Sequence, residues 1–372
     1  MIASSGELKA IRETAARFAR GELAPEALER DRFPFAEFNW RAVESLAALG
    51  FLAPTWPESQ GGPGLGWSVT AAIVRAVAFH DASPAMVIFT QSLARRLLCE
   101  AGPATLEAAF LPPPGAAGLI ALPMYHDPDD PPDGVRARAV DRGFELDGGL
   151  DYLACLPAAR AALVPAVGDG NIRFFLVDVR SEGVAVGPPA VSLGLRGCPA
   201  ADLELKRVQV PNSQALAPDS AAIHAELANQ GRVALCALVL GVLEGCFATA
   251  VEYSRERFQA RKKIVEHDMI RRMLAEMKAW IDVGGLGVER LMAAEGEKAF
   301  LTEALSLQEL LTKAVSRATA DGVQVLGGYG YMKEYGQEKR MRDAKQLQAV
   351  FGGPRERLSR VIEKALAEGC FF

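Results

Sequence analysis

The stretch Val323–Lys345, VQVLGGYGYMKEYGQEKRMRDAK, decides how the rest of the chain is read. Its apolar start (Val323, Val325, Leu326) runs straight into Gly327, Gly328 and Gly330. Glycine lacks a Cβ, so such a segment can take positive φ and lets another molecule press against its backbone. The plainer alternative is a glycine turn that simply ends a helix at Gly327.

Around this stretch the chain reads as long helices. Helical apolar spacing starts near Ser220, runs through Ala222–Glu256, and resumes over Asp268–Ala293, Thr302–Leu326 and Arg355–Leu366, with glycines at the breaks. Between Leu119 and Pro211 the pattern changes to short β-branched and apolar runs separated by glycine and proline turns: Phe144–Leu146, Ala162–Val164, Ile172–Val177, Val184–Val186 and Asp202–Val210. From Ser5 to Ala108 helical spacing returns, with Ile11, Ala15 and Phe18 in one helix and Val43, Leu46 and Leu49 in another. An irregular loop, Phe51–Gly66, interrupts it. Three consecutive prolines make Leu111–Gly115 (LPPPG) unable to form helix and a natural boundary. The expected fold class is α+β: an N-terminal helical domain (1–115), a middle β-barrel or sandwich (116–215) and a C-terminal helical bundle (216–372).

Composition narrows the function. The 372 residues are 50% hydrophobic and carry a net charge of −5 with no block of like charge, which disfavours nucleic acid as a partner. Six dispersed cysteines without a C-x-x-C pair, and four dispersed histidines, give no metal site and no disulfide framework. The charged amphipathic start (Glu7, Lys9, Arg12, Glu13, Arg17, Arg20) is unlike a signal peptide, so a cytoplasmic protein is expected. Val233–Leu243, the longest uncharged apolar run, is far shorter than the roughly 20 residues that span a bilayer; it reads as a buried helix, with no membrane partner.

Four segments in order resemble the acyl-CoA dehydrogenase family. Leu46–Gly66 (LAALGFLAPTWPESQGGPGLG) is similar to the family's first helix and its Pro-Glu-x-x-Gly-Gly loop. Gly194–Pro211 (GLRGCPAADLELKRVQVP) resembles the strand pair that the family writes with Gly-x-Arg-x-Ser and Val-Pro. Gly241–Met277 carries Ala248, Val251, Glu252, Tyr253, Ser254, Arg255, Glu256 and Arg257, similar to an ALEYAxER helix. Val323–Lys345 resembles the family's C-terminal signature almost residue for residue. The resemblance implies three domains ending in a four-helix bundle, with FAD between the last two and at a subunit interface, and a homo-oligomer, usually a tetramer. It places Arg257 on the flavin pyrophosphate of a neighbouring subunit, where a guanidinium bridges phosphate oxygens. It also places Gln324, Val325, Leu326, Gly327 and Gly328 against the dinucleotide, and Tyr152 and Ala154 near the flavin ring.

The same resemblance exposes a gap. In the family a glutamate removes the α-proton of an acyl thioester while the β-hydrogen leaves as hydride to flavin N5. Counting forward from Arg342–Lys345 puts Phe351 at that position, or Gly352 after a one-residue slip. In relatives that carry the glutamate elsewhere it stands one residue before an arginine matching Arg232, which here is Gly231. None of the three can accept a proton, and general-base help is commonly worth about 10²- to 10⁴-fold. A backbone N–H at Phe351 or Gly352 could still polarise a thioester carbonyl. Tyr125, His126 and Asp127 read as loop residues near the flavin edge, Glu356 as a charge on the last helix, and Cys155 as a small buried residue. Three functions follow as expectations: a flavoprotein acting on acyl-CoA or an acyl-carrier-protein thioester without the usual base, a catalytically silent subunit beside an active homologue, or a flavin-dependent monooxygenase on the same scaffold.

Overall fold

A computed structural model describes residues 5–32, 37–60, 62–103, 118–294 and 300–369; the Leu111–Gly115 boundary lies outside the described residues. Helix α1 (Ser5–Phe18) continues into a π-helical turn, Ala19–Leu23, before the short α2 (Ala27–Arg30). Helix α3 (Trp40–Ala48) starts where the Asn39 side chain accepts the Ala42 N–H at 3.1 Å, satisfying one of the donors that every helix start leaves free. Helices α4 (Trp67–Ala78) and α5 (Ala82–Ala101) follow the Phe51–Gly66 loop, α5 capped by Asp81 on the Ser83 N–H.

The middle of the chain forms one seven-stranded sheet in the order β1-β4-β2-β3-β7-β6, with β5 hairpinned onto β4. The strands are β1 (Ile120–Ala121), β2 (Val135–Val140), β3 (Gly143–Ala154), β4 (Ala161–Gly168), β5 (Asn171–Asp178), β6 (Val184–Val186) and β7 (Ala200–Pro211). All five expected runs fall inside strands, while β1 and β2 are additional. Strand β2, VRARAV, was hidden because its charges alternate with small residues instead of with a dense apolar face. Its first residue, Val135, is fully buried and joins the sheet's own core.

The C-terminal third is built on α6 (Ser220–Glu256), which packs against α4, α5, α7 (Asp268–Ala293) and α8 (Phe300–Leu326). By length and composition α6 is apolar enough to cross a membrane, but most of its apolar stretch is buried inside the protein, and Val233–Leu243 is buried throughout. A two-stranded hairpin, β8 (Phe258–Gln259) and β9 (Lys262–Lys263), follows α6; α9 (Gln337–Leu347) and α10 (Pro354–Glu368) complete the chain. Arg75 of α4 grips Glu244 of α6 through two hydrogen bonds, 2.6 and 3.1 Å.

Charges from the Arg342–Lys345 region join the thirds. Lys339 of α9 bridges Asp81 and Asp343 at 2.7 Å each, all three buried, and Asp343 accepts the Leu195 N–H at 2.7 Å. Arg342 pairs with Asp31 and Glu338. Buried charges persist when they are paired and hydrogen-bonded. Part of the charged signature is therefore a clamp between the N-terminal helices, the sheet and the bundle.

Candidate functional site

Two regions gather the residues singled out by sequence. The first is a wall between α5, α6 and the loop from Gln348 to Gly353. Phe351 is 1% exposed, and its ring meets Phe89 of α5 at 5.6 Å. Phe89 in turn meets Trp67 edge-on at 6.2 Å. A Cβ at Gly231 of α6 would stand 3.1 Å from the Trp67 ring and 3.3 Å from the Phe89 ring. Positions 351 and 231, 120 residues apart, thus converge on one side chain, Phe89. Sequence spacing carries no signal for Phe89 or Trp67, which read as ordinary apolar helix residues.

Arg232 is the polar floor of this wall. It is fully buried, lies 5.3 Å over the Phe351 ring, donates to Asn229 at 2.9 Å and to Gln308 at 2.5 Å, and forms no ion pair among the described residues. Burial lowers its pKa to about 10. Gln308 donates onward to the Val350 carbonyl at 3.0 Å. Arg357, also fully buried, fastens the loop: it donates to the carbonyls of Gly352 at 2.5 Å and Gln348 at 2.9 Å, and pairs with Glu309 at 3.3 Å. Held this way, Phe351 keeps φ at 60° and Gly352 at 88°, a backbone region that costs a bulky residue on the order of 1 kcal/mol or more. Glu356 does not face the wall; its carboxylate accepts the Gly353 N–H at 2.5 Å and caps α10.

The loop touches the segment that follows β1. The Phe351 N–H donates to the Met124 carbonyl at 2.9 Å, and a Cβ at Gly352 would lie 3.5 Å from the Asp127 Cβ. Asp127 itself is paired with Arg360. Tyr125 packs edge-on against Tyr152 at 4.9 Å, whose hydroxyl accepts from Gln346 at 2.8 Å. Burial raises the pKa of both phenols and lowers that of His126. Tyr152 is half-buried, with φ at 59° and its N–H held by Asp202 at 2.9 Å. Ala154 is fully buried, and its N–H and carbonyl are both taken by Leu122. It has no free polar group to offer.

The second region opens at the far end of α6. Arg257, the residue that ends the helix, is exposed and its guanidinium lies 5.9 Å from the Tyr329 ring. Tyr253, Tyr329 and Tyr335 cluster with centroids 5.4 to 6.2 Å apart, beside a cavity of about 500 Å³ that Arg257 also lines. Helix α8 does end at Leu326, and Gly327 takes φ of 59°; but a Cβ at Gly327 would meet nothing within 4 Å, and one at Gly328 only the Tyr331 hydroxyl at 3.8 Å. Gly330 differs: a Cβ there would strike the Val323 carbonyl at 2.1 Å, so that glycine serves the chain's own packing. Gln324 is exposed, whereas Val325 and Leu326 are buried. The hairpin turn after Arg257 places Ala260 and Arg261 at φ of 48° and 68°, left-handed positions that glycine fills more easily.

Family models for the N-terminal and C-terminal domains of acyl-CoA dehydrogenase match residues 5–116 and 221–367. The chain belongs to the acyl-CoA dehydrogenase family. Among curated relatives, cyclohexane-1-carbonyl-CoA dehydrogenase of Geobacter metallireducens is 28% identical over 98% of this chain and 99% of its own. The caffeyl-CoA reductase-Etf complex subunit CarC of Acetobacterium woodii is 28% identical over 92% and 93%. Among solved structures, butyryl-CoA dehydrogenase from Megasphaera elsdenii superposes with a TM-score of 0.89 at 25% identity, covering 98% of this chain and 100% of that one. The helical, sheet, helical order read from sequence is this fold.

FAD is the cofactor of the acyl-CoA dehydrogenase family, and the chain can be tested for fit from its own geometry. The open backbone at Gly327 and Gly328 and the exposed Arg257 fit the nucleotide and its pyrophosphate, since neither region is filled by the chain's own side chains.

Proposed function

We propose that this chain is a flavin-binding member of the acyl-CoA dehydrogenase family that does not itself perform α,β-dehydrogenation, and that it works in the cytoplasm as a subunit beside a homologous active chain. That partner would handle the acyl-CoA or acyl-carrier-protein thioester. One observation supports the reading above the others: Phe89 lies against both Phe351 and Gly231, two of the positions that the resemblance assigns to the family's glutamate. Phe351 and Gly231 themselves bring no carboxylate to this wall. Arg257 would hold the flavin pyrophosphate, and Gly327 and Gly328 would give the nucleotide close approach to the backbone. The cofactor, when bound, supplies hydride acceptance.

The experiment is spectroscopic. The purified protein should carry flavin, alone or after mixing with a homologous chain, and saturated acyl-CoA thioesters added without oxygen should leave its visible absorption unchanged. Bleaching at the rate of a working dehydrogenase would sink the proposal. Phe351→Glu should raise flavin reduction by at least about 10²-fold, the low end of general-base help. Gly352→Glu is the poorer variant: it would add a side chain at a φ of 88° beside Asp127, combining backbone strain with like-charge repulsion.

A further inference from the structure

Where β3 and β7 meet, Ala154 is registered with Ala200, and the chain bends away on both sides of that pair. Cys155 follows Ala154 and turns with φ of 65°; Cys198 precedes Ala200 and closes a turn in which its N–H donates to the Leu195 carbonyl at 2.8 Å, with Leu195 at φ of 51°. The two bends bring together thiols 43 residues apart: the sulfurs are 3.7 Å from one another, and the residues are 0% and 4% exposed. A disulfide bond is about 2.05 Å long, so the two sulfurs stand in contact but unbonded.

We propose that Cys155 and Cys198 are an oxidative modification site: a dithiol that a hydroperoxide converts to an intramolecular disulfide. One thiol, as thiolate, attacks the peroxide O–O bond and becomes a sulfenic acid, releasing an alcohol, or water when the oxidant is hydrogen peroxide. The second thiol then attacks that sulfur; the S–S bond forms and water leaves. Two sulfurs together lose two electrons, and the peroxide gains them. The hydrogen bond from Cys155, aided by burial, raises the Cys198 thiol's pKa and keeps that thiol protonated at rest.

The disulfide would tie the turn before β7 to the end of β3. That turn also carries Leu195, whose N–H is held by Asp343, and β3 carries Tyr152, so oxidation would fix the sheet edge beside the tyrosine pair. Cys236 and Cys246 are internal controls: both are buried on α6, ten residues and therefore about 15 Å apart along the helix, too far to pair with each other.

The inference stands apart from the flavin reading and is tested without it. The full-length folded chain is treated with hydrogen peroxide, denatured in N-ethylmaleimide and digested without reduction. Mass spectrometry should find a peptide joining Cys155 to Cys198, two hydrogens lighter than the sum of its halves and split by dithiothreitol, with Cys236 and Cys246 recovered alkylated. Cys155→Ala and Cys198→Ala should each abolish it. Recovery of both residues singly alkylated, or as two separate sulfinic acids, would mean that they are merely packed as small hydrophobic groups and would overturn the proposal; the wild-type digest gives this answer even if a variant folds poorly.

Discussion

Two stretches of α6 are made differently. Around Gly231 the helix is sealed: Trp67, Phe89 and Phe351 fill the space, and Arg232 is buried beneath them. At Arg257, 26 residues and therefore about 39 Å further along, it ends at an open cavity ringed by tyrosines. The sealed end satisfies itself from within the chain, through aromatic contacts and hydrogen bonds to the Gln348–Gly353 loop. The open end leaves an exposed guanidinium beside the Tyr329 ring and bare glycine backbone at Gly327 and Gly328. On the proposed reading, the scaffold keeps the residues that would hold a cofactor while aromatic side chains fill the place of the base.

The largest expected effect comes from breaking the seal at Arg357. Arg357→Met removes the donors to Gly352 and Gln348 and leaves Glu309 with only Lys313 at 3.0 Å. Loss of one partner of a buried pair costs about 3–5 kcal/mol, which urea unfolding would read. A cost below about 1 kcal/mol would mean that aromatic packing alone keeps the loop in place.

A pH-dependent effect of similar size belongs to the same sealed half. His224 is 3% exposed, its ring sits 4.9 Å from Phe174, and neither nitrogen is hydrogen-bonded to another described residue. Burial lowers its pKa from 6.5 to about 4. The unfolded chain therefore binds the proton first as pH falls. The stabilisation is whole above about 6.5 and disappears progressively down to about 4, amounting to about 3 kcal/mol. His224→Phe should flatten that part of the stability profile relative to the parent, while an identical slope in the two proteins would show that other groups set it.

How much of this contrast could be read from sequence varies with the range of the interactions. The helical spacing of α6, α7 and α8 and the β-branched runs are local patterns, and the structure shows each where it was expected, whereas of Gly327, Gly328 and Gly330 only Gly327 takes a positive φ. The bare backbone at Gly327 and Gly328 also follows from local facts, because glycine carries no side chain to cover it. The sealed wall does not: Phe89, Gly231 and Phe351 come from three segments, and nothing within any one of them says that they meet. Arg357 and Gln308 look like helix-surface residues until the loop they hold is in place. Cys155 was legible as a small buried residue, but its neighbour Cys198 becomes visible only through the β3–β7 register.

A subtler effect separates packing from backbone at Phe351. Phe351→Ala should cost about 3–5 kcal/mol for the lost ring and the cavity left behind. Phe351→Gly removes the same ring but relieves the left-handed φ of 60°, so it should be about 1 kcal/mol less destabilising than alanine. In ordinary helix or strand positions glycine is the worse of the two. Finding that usual order here would show that the loop relaxes its backbone once the ring is gone.

The smallest effect on stability is expected at the open end, and there it is the informative outcome. Arg257 is exposed, and its approach to the Tyr329 ring, 5.9 Å, is the kind of surface cation–π contact that contributes about 0.5 kcal/mol. Arg257→Ala should therefore unfold within about that margin of the parent. Its consequence should be read in flavin content and in assembly size on a column, because a guanidinium that held a pyrophosphate would lose its charge-assisted hydrogen bonds when truncated. A variant that keeps both its flavin and its size would place the nucleotide elsewhere. One that loses flavin without losing stability would establish that the outer end of α6 is held ready for a molecule the chain does not itself supply.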